Sequence, residues 1–152
     1  MKKERKNIEV LQSCKIELLI SFFRLHSSVF PYMFDLRDRT KSFALRIVKL
    51  YTSLPKSTEA QVLGKQVLRS GTSVGAHYRE ATRARSNAEY ISKIEVGLQE
   101  LEESIYWLEL LAEAEIIKAS NLANLIREAE ELIAIFVTLV KKAKDKGGRG
   151  EN

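Results

Sequence analysis

The chain has 152 residues, 45% of them apolar and 30% charged, with a formal net charge of +5. That length and mix fit one globular domain able to bury roughly two-thirds of its unfolded surface. The single cysteine, Cys14, excludes an internal disulfide, and two histidines far apart in sequence offer no zinc spacing, so a reducing cytoplasmic setting is expected.

The first 32 residues stand apart. A basic start, Lys2 to Lys6, followed by the apolar run over residues 16–23 imitates a signal peptide faintly, but Glu9 and Glu17 intrude and no small-residue cleavage site comes after them. The run is also too short to cross about 30 Å of hydrocarbon, so no membrane span is expected. Pro31 separates this crowded, irregular segment from the rest of the chain. Residues 1–32 therefore read as an N-terminal extension, either a misassigned upstream stretch with translation starting at Met33 rather than Met1, or a loosely attached helix over residues 8–25.

From residue 33 onward the apolar residues fall into four helical patterns, and two prolines and seven glycines leave little turn chemistry between them. The first helix, Leu36 to Ser53, turns Leu36, Phe43, Ile47, Leu50 and Leu54 inward and leaves Asp38, Arg39, Arg46 and Lys49 mostly outward. Pro55 ends it, because the residue before a proline is pushed out of the helical region. Residues 56–59 then lead to the next N-cap.

The second helix covers residues 58–83 with a narrow, partly polar stripe: Leu63, Val67, Ser70, Val74, His77 or Tyr78, and Ala81. It holds the most distinctive segment of the chain, Arg69-Ser-Gly-Thr-Ser-Val-Gly-Ala-His-Tyr-Arg-Glu-Ala81. Each helical glycine costs about 1 kcal/mol relative to alanine. Gly71 and Gly75, one turn apart among small residues, therefore predict a neighbouring helix at very short range. The third helix opens on a capping box, Ser86 with Glu89. Its apolar seam is Ile91, Ile94, Leu98, Leu101, Ile105, Leu108 and Ala112, alternating three and four as a bundle helix requires. The fourth, over residues 120–143, keeps the same rhythm with Leu122, Leu125, Ala129, Leu132, Phe136, Leu139 and Ala143. Four such helices with short connections predict an all-α fold, an up-down-up-down antiparallel four-helix bundle over residues 33–144, with a flexible tail over 145–152.

Candidate chemistry is sparse. Gly71 to Gly75 lacks the lysine and preceding strand of a phosphate loop, and its surroundings are too polar for a membrane helix dimer. Ser73, His77 and Glu80 share related helical positions, yet no nucleophile elbow or oxyanion hole accompanies them. A buried polar network of Ser70, Ser73, His77 and Glu80 is the expectation instead. The acidic run Glu100, Glu102, Glu103, Glu109 and Glu113 carries no Glu-x-x-His pair for a di-metal site. No enzymatic activity, cofactor or metal is expected. Tyr106 and Trp107 suit a core or interface anchor, with base stacking as the alternative.

Charge is distributed unevenly. Residues 33–85 carry 11 Lys or Arg against 4 Asp or Glu, a net +7, while residues 86–140 carry 3 against 11, a net −8. This asymmetry fits a basic face for polyanions, complementary faces for self-association, or hairpins that attract within one fold. Lys65, Arg69, Arg79, Arg83 and Arg85, joined by Lys141, Lys142 and Lys144, form a candidate phosphate-binding ridge; a merely solvated or salt-bridged face is the competing reading.

The segments Asp38-Arg-Thr-Lys-Ser-Phe-Ala-Leu-Arg46, Leu54-Pro55, Leu68 through Ala81, Arg83-Ala-Arg-Ser86 and Tyr106-Trp-Leu-Glu-Leu-Leu111, in this order, resemble the four-helix-bundle family of 23S rRNA intervening-sequence proteins. The resemblance spans about residues 33–143. It implies a small bacterial bundle that assembles as a ring-like homopentamer without established enzymatic activity. The chain is also similar to the accessory variability determinant of diversity-generating retroelements, which implies a basic surface for nucleic acid and a reverse transcriptase as a protein partner. His77 stands where the family motif commonly has asparagine, placing a larger, titratable group in the local hydrogen-bond network. The expected function is non-catalytic binding of structured RNA by an oligomer, through phosphate contacts without sequence readout. The alternative is a protein-interaction scaffold whose charged faces serve self-association or a protein partner.

Overall fold

The computed structural model describes residues 36–147, and the expectations about residues 1–32, Met33 and the last five residues lie outside that range. Four α-helices make up the fold: α1 (Leu36–Ser53), α2 (Thr58–Ala81), α3 (Asn87–Glu113) and α4 (Ala119–Gly147). Each helix packs along its chain neighbours and α1 and α4 meet along a shorter seam, while among the described residues the backbones of the diagonal pairs stay apart and Tyr78 of α2 reaches Phe136 of α4 through the core, ring centroids 5.9 Å apart. Every pairing runs antiparallel. On α2 and α1, Gly64, Gly71 and Gly75 face Leu54, Ile47 and Thr40 in reverse order. Arg69 and Glu80 of α2 likewise reach Glu100 and Lys93 of α3. The bundle is up-down-up-down.

Local signals set the helix ends. Leu54 leaves α1 ahead of Pro55, and the Ser57 hydroxyl accepts from the Ala60 amide at 3.4 Å to start α2. Ser86 caps α3 by accepting from the Glu89 amide at 3.1 Å, while the Glu89 carboxylate accepts from the Arg85 amide at 2.8 Å, one residue before the position a capping box uses. Helix α3 ends without glycine: Glu115 takes φ 56°, its amide bonds the Ala112 carbonyl and the Ile116 amide bonds that of Leu111. This is a Schellman closure with glutamate in the left-handed position. Helix α4 runs beyond the expected end into the segment expected as tail. Ala143 is buried, its carbonyl accepts from Asn87 Nδ2 at 2.8 Å, and Lys144 and Lys146 complement the negative end of the helix.

The core nearly follows the expected stripes on α1, where Thr40 is also fully buried and Leu36 and Leu50 are only partly so, and on α4, where Val140 is more deeply buried than Leu139. On α3 the fully buried line is Ile94, Gly97, Leu101, Ser104, Leu108 and Leu111. Ile91, Leu98, Ile105 and Ala112 flank it. The apolar pattern misplaces this line because two of its members, Gly97 and Ser104, are small. Phe136 of α4 occupies the space that Gly97 leaves, and Ser104 meets Ser70 of α2. Of the expected polar network, Ser70 alone is realised as foreseen: its hydroxyl donates to the Gln66 carbonyl at 3.1 Å and accepts from Ser104 at 2.9 Å, both serines fully buried. The Ser73 hydroxyl instead donates to the Arg69 carbonyl of its own helix, and Glu80 is exposed.

The close approach expected at the glycines is present, and its two positions differ. A β-carbon on Gly71 would lie 2.7 Å from Ile47 Cγ1, a fully buried, β-branched side chain with no room to move, whereas one on Gly75 would lie 3.4 Å from Thr40 Oγ1. Gly71→Ala should therefore lose about 1–2 kcal/mol, overpacking outweighing the gain in helix propensity. Gly75→Ala should gain about 0.5–1 kcal/mol. Urea denaturation of both variants reads the opposite signs.

Candidate functional site

The bundle divides the candidate basic ridge. Lys65 lies toward the start of α2, near the level of Leu54, far along the helix from Arg79. Arg69, midway, is held by α3: its guanidinium bonds Glu100 at 3.2 Å and also Glu103. Lys144 bonds Glu95 at 2.9 Å. Two of the eight candidates are thus engaged within the fold, because the acidic third helix lies against both the second and the fourth.

Arg79, Arg83, Arg85, Lys141 and Lys142 are exposed and have no ion-pair partner among the described residues. They come together through topology. Arg79 to Arg85 occupy the last turn of α2 and the turn into α3, and the bond from Asn87 to the Ala143 carbonyl brings the last turns of α4 to that same end. Lys146, in the last turn of α4, joins them. Sequence reasoning omits it because the helix is expected to stop earlier; lysines in a terminal turn are the signal that could have found it. Of the acids at this end, Glu80 is held by Lys93 at 2.6 Å, Glu95 by Lys144 and Glu89 by the Arg85 amide, while Asp145, exposed in the last turn of α4, has no ion-pair partner among the described residues. The arrangement is a cationic end able to hold phosphate oxygens.

Two further expectations are corrected by geometry. The buried network expected to include Ser73, His77 and Glu80 does not form, since the Ser73 hydroxyl bonds its own helix and His77 Nδ1 lies 3.6 Å from Glu80, beyond hydrogen-bond reach. His77 Nδ1 is buried without a hydrogen-bond partner. The backbone accommodates this larger side chain opposite Gly97, where an added β-carbon would stand 3.8 Å from His77 Cβ. Arg39, expected to face outward, is half-buried and ties α1 to α4, with Nε 2.7 Å from Glu128 and the other end of its guanidinium on Glu131. Tyr106 is 53% exposed and packs edge-on against the half-buried Trp107, ring centroids 4.8 Å apart. Among the described residues no helix is long and apolar enough to cross a membrane.

Residues 34–138 match the family described as 23S rRNA-intervening sequence protein. A crystal structure of a protein of unknown function from the S23 ribosomal protein family of Bacteroides thetaiotaomicron is similar to this chain, with 38% identity and a TM-score of 0.67 over 70% of this chain and 99% of that one. No curated protein matches the chain.

One charge pair at the cationic end has a measurable signature. The hydrogen bond from Lys93 holds the Glu80 carboxyl below the usual carboxylate range. A lowered folded-state pKa means that the pair stabilises above the unfolded carboxylate pKa and that this contribution is lost as pH falls through the folded value. Lys93→Met should move the Glu80 midpoint upward in a carboxyl-carbon NMR titration. An unmoved midpoint would assign the shift to another cause.

Proposed function

The chain belongs to the 23S rRNA-intervening sequence protein family, and from that premise we propose that it is a non-catalytic, homo-oligomeric bundle that holds structured RNA by its phosphates, without reading sequence. One observation carries the reading: Arg79, Arg83, Arg85, Lys141 and Lys142 have no ion-pair partner among the described residues and are gathered at one end, where Glu80, Glu89 and Glu95 are engaged and Asp145 is the one exposed acid left over among the described residues. Guanidinium and ammonium groups so placed displace condensed counterions from a polyanion, and that release favours binding whatever the base order. Arg69 and Lys144 contribute less, because binding phosphate would first require breaking their bonds to Glu100, Glu103 and Glu95. The five-subunit ring and the reverse-transcriptase partner implied by the resemblance belong to this proposal as well.

The scaffold reading retains support from a separate observation. Leu45, Val48, Val62 and Tyr106 are all at least 40% exposed, more apolar surface than phosphate binding requires.

Binding of a fluorescent RNA hairpin over a salt series tests the proposal. Affinity should fall steeply with salt, and Arg79→Ala with Arg83→Ala should reduce the magnitude of the log–log slope by about 2, roughly one for each phosphate no longer neutralised. Arg69→Ala should leave the slope nearly unchanged. Absence of binding at low salt would remove the reading.

A further inference from the structure

Two exposed stripes lie on helices placed diagonally in the bundle. On α1, Leu45 is 58% and Val48 40% exposed, three residues apart and hence on one face. Lys41 lies one turn before Leu45, and Arg46 and Lys49 lie beside the pair. An open cavity of about 420 Å³ adjoins this face where α1 meets α4, with Leu50, Leu122 and Leu125 on its floor and Arg46 and Lys49 on its rim. On α3, Tyr106 is 53% exposed, with Glu102 one turn before it, Glu109 three residues after and Glu113 a turn beyond that. Within the described residues none of Lys41, Arg46, Lys49, Glu102, Glu109 and Glu113 has an ion-pair partner.

Each stripe has an apolar centre between charges of one sign, and the signs are opposite. Because α1 and α3 are diagonal in the bundle, the two stripes cannot satisfy each other within one chain. They can do so between chains. We propose that the α1 face of one copy packs on the α3 face of the next, with Leu45 and Val48 against Tyr106 and the unpaired cations of α1 opposite the unpaired carboxylates of α3. This rests on the homo-oligomeric part of the proposed function and assigns its surfaces. The contact joins two different patches, so each added copy presents a free α1 face and a free α3 face, and the assembly grows until rotation closes it into a ring. Removing exposed leucine, valine and tyrosine surface from water supplies the attraction, and the charge pattern selects partner and register. The cationic end formed by Arg79, Arg83, Arg85, Lys141 and Lys142 is not part of this contact.

Sedimentation velocity on the full chain tests the assignment, with circular dichroism checking that each variant stays helical. The wild-type protein should sediment as an assembly, and Leu45→Asp or Tyr106→Ala should reduce its mass severalfold, to the 17.3 kDa of one chain. Lys49→Glu and Glu109→Lys should each weaken assembly, and the two together in one chain should restore it. An assembly that survives Leu45→Asp and Tyr106→Ala, or a double charge reversal that fails to restore it, would overturn the surface assignment while leaving the oligomer standing. A wild-type chain that is monomeric at every concentration would overturn the oligomeric reading itself.

Discussion

The bundle depends on how closely α1 can approach α2. Thr40 and Ile47 of α1 and Leu54 just past its end repeat every seven residues, and each meets a glycine of α2: Gly75, Gly71 and Gly64. Without β-carbons at those positions, fully buried side chains of α1 sit directly against the α2 backbone, and the dispersion contacts offset glycine's helix penalty of about 1 kcal/mol per residue. The same economy of size recurs on the next interface. Gly97 of α3 admits Phe136 of α4, and the paired hydroxyls of Ser70 and Ser104 need less width than two leucines. Thin contacts at the centre of α2 and α3 leave room for the larger side chains of the core around them.

That proximity also governs the charges. With α2 and α3 so close, part of the basic first half is neutralised internally: Arg69 by Glu100 and Glu103, Lys93 by Glu80 in the opposite sense. Such exposed pairs contribute at most about 1 kcal/mol each, so their larger consequence is to decide which cations remain free. Among those left over are Arg79, Arg83 and Arg85 at the end of α2, with Lys141 and Lys142 that α4 carries to the same end. A charge imbalance spread along the sequence becomes a local field at one end of the bundle, where phosphates are attracted most strongly. The apolar centres on α1 and α3 lie on other faces, so the proposed polyanion binding and the proposed self-association use separate surfaces.

Much of this was legible in the residues themselves. Helical periodicity, Pro55, the cap at Ser86 and the small residues from Ser70 to Ala76 are local signals, and local sterics and hydrogen bonding determine helices, their ends and the places where backbones can meet. The family motifs added the kinship. The α3 seam was less legible because an apolar template cannot see Gly97 or Ser104; their burial is a property of Phe136 and Ser70, distant in sequence. Arg39 reads as outward for the same reason, since its carboxylate partners lie about ninety residues away on α4.

By itself, then, the amino-acid sequence determined four amphipathic helices, their antiparallel order and a close α1–α2 contact, because these depend on periodicity, connection length and side-chain volume along the chain. Only the tertiary structure decided which cations are free to bind. Lys65, Arg69, Arg79, Arg83, Arg85, Lys141, Lys142 and Lys144 are equivalent as letters, but Coulomb attraction depends on distance in space. The fold places Glu100 and Glu103 beside Arg69 and Glu95 beside Lys144, and leaves Arg79 and Arg83 facing water.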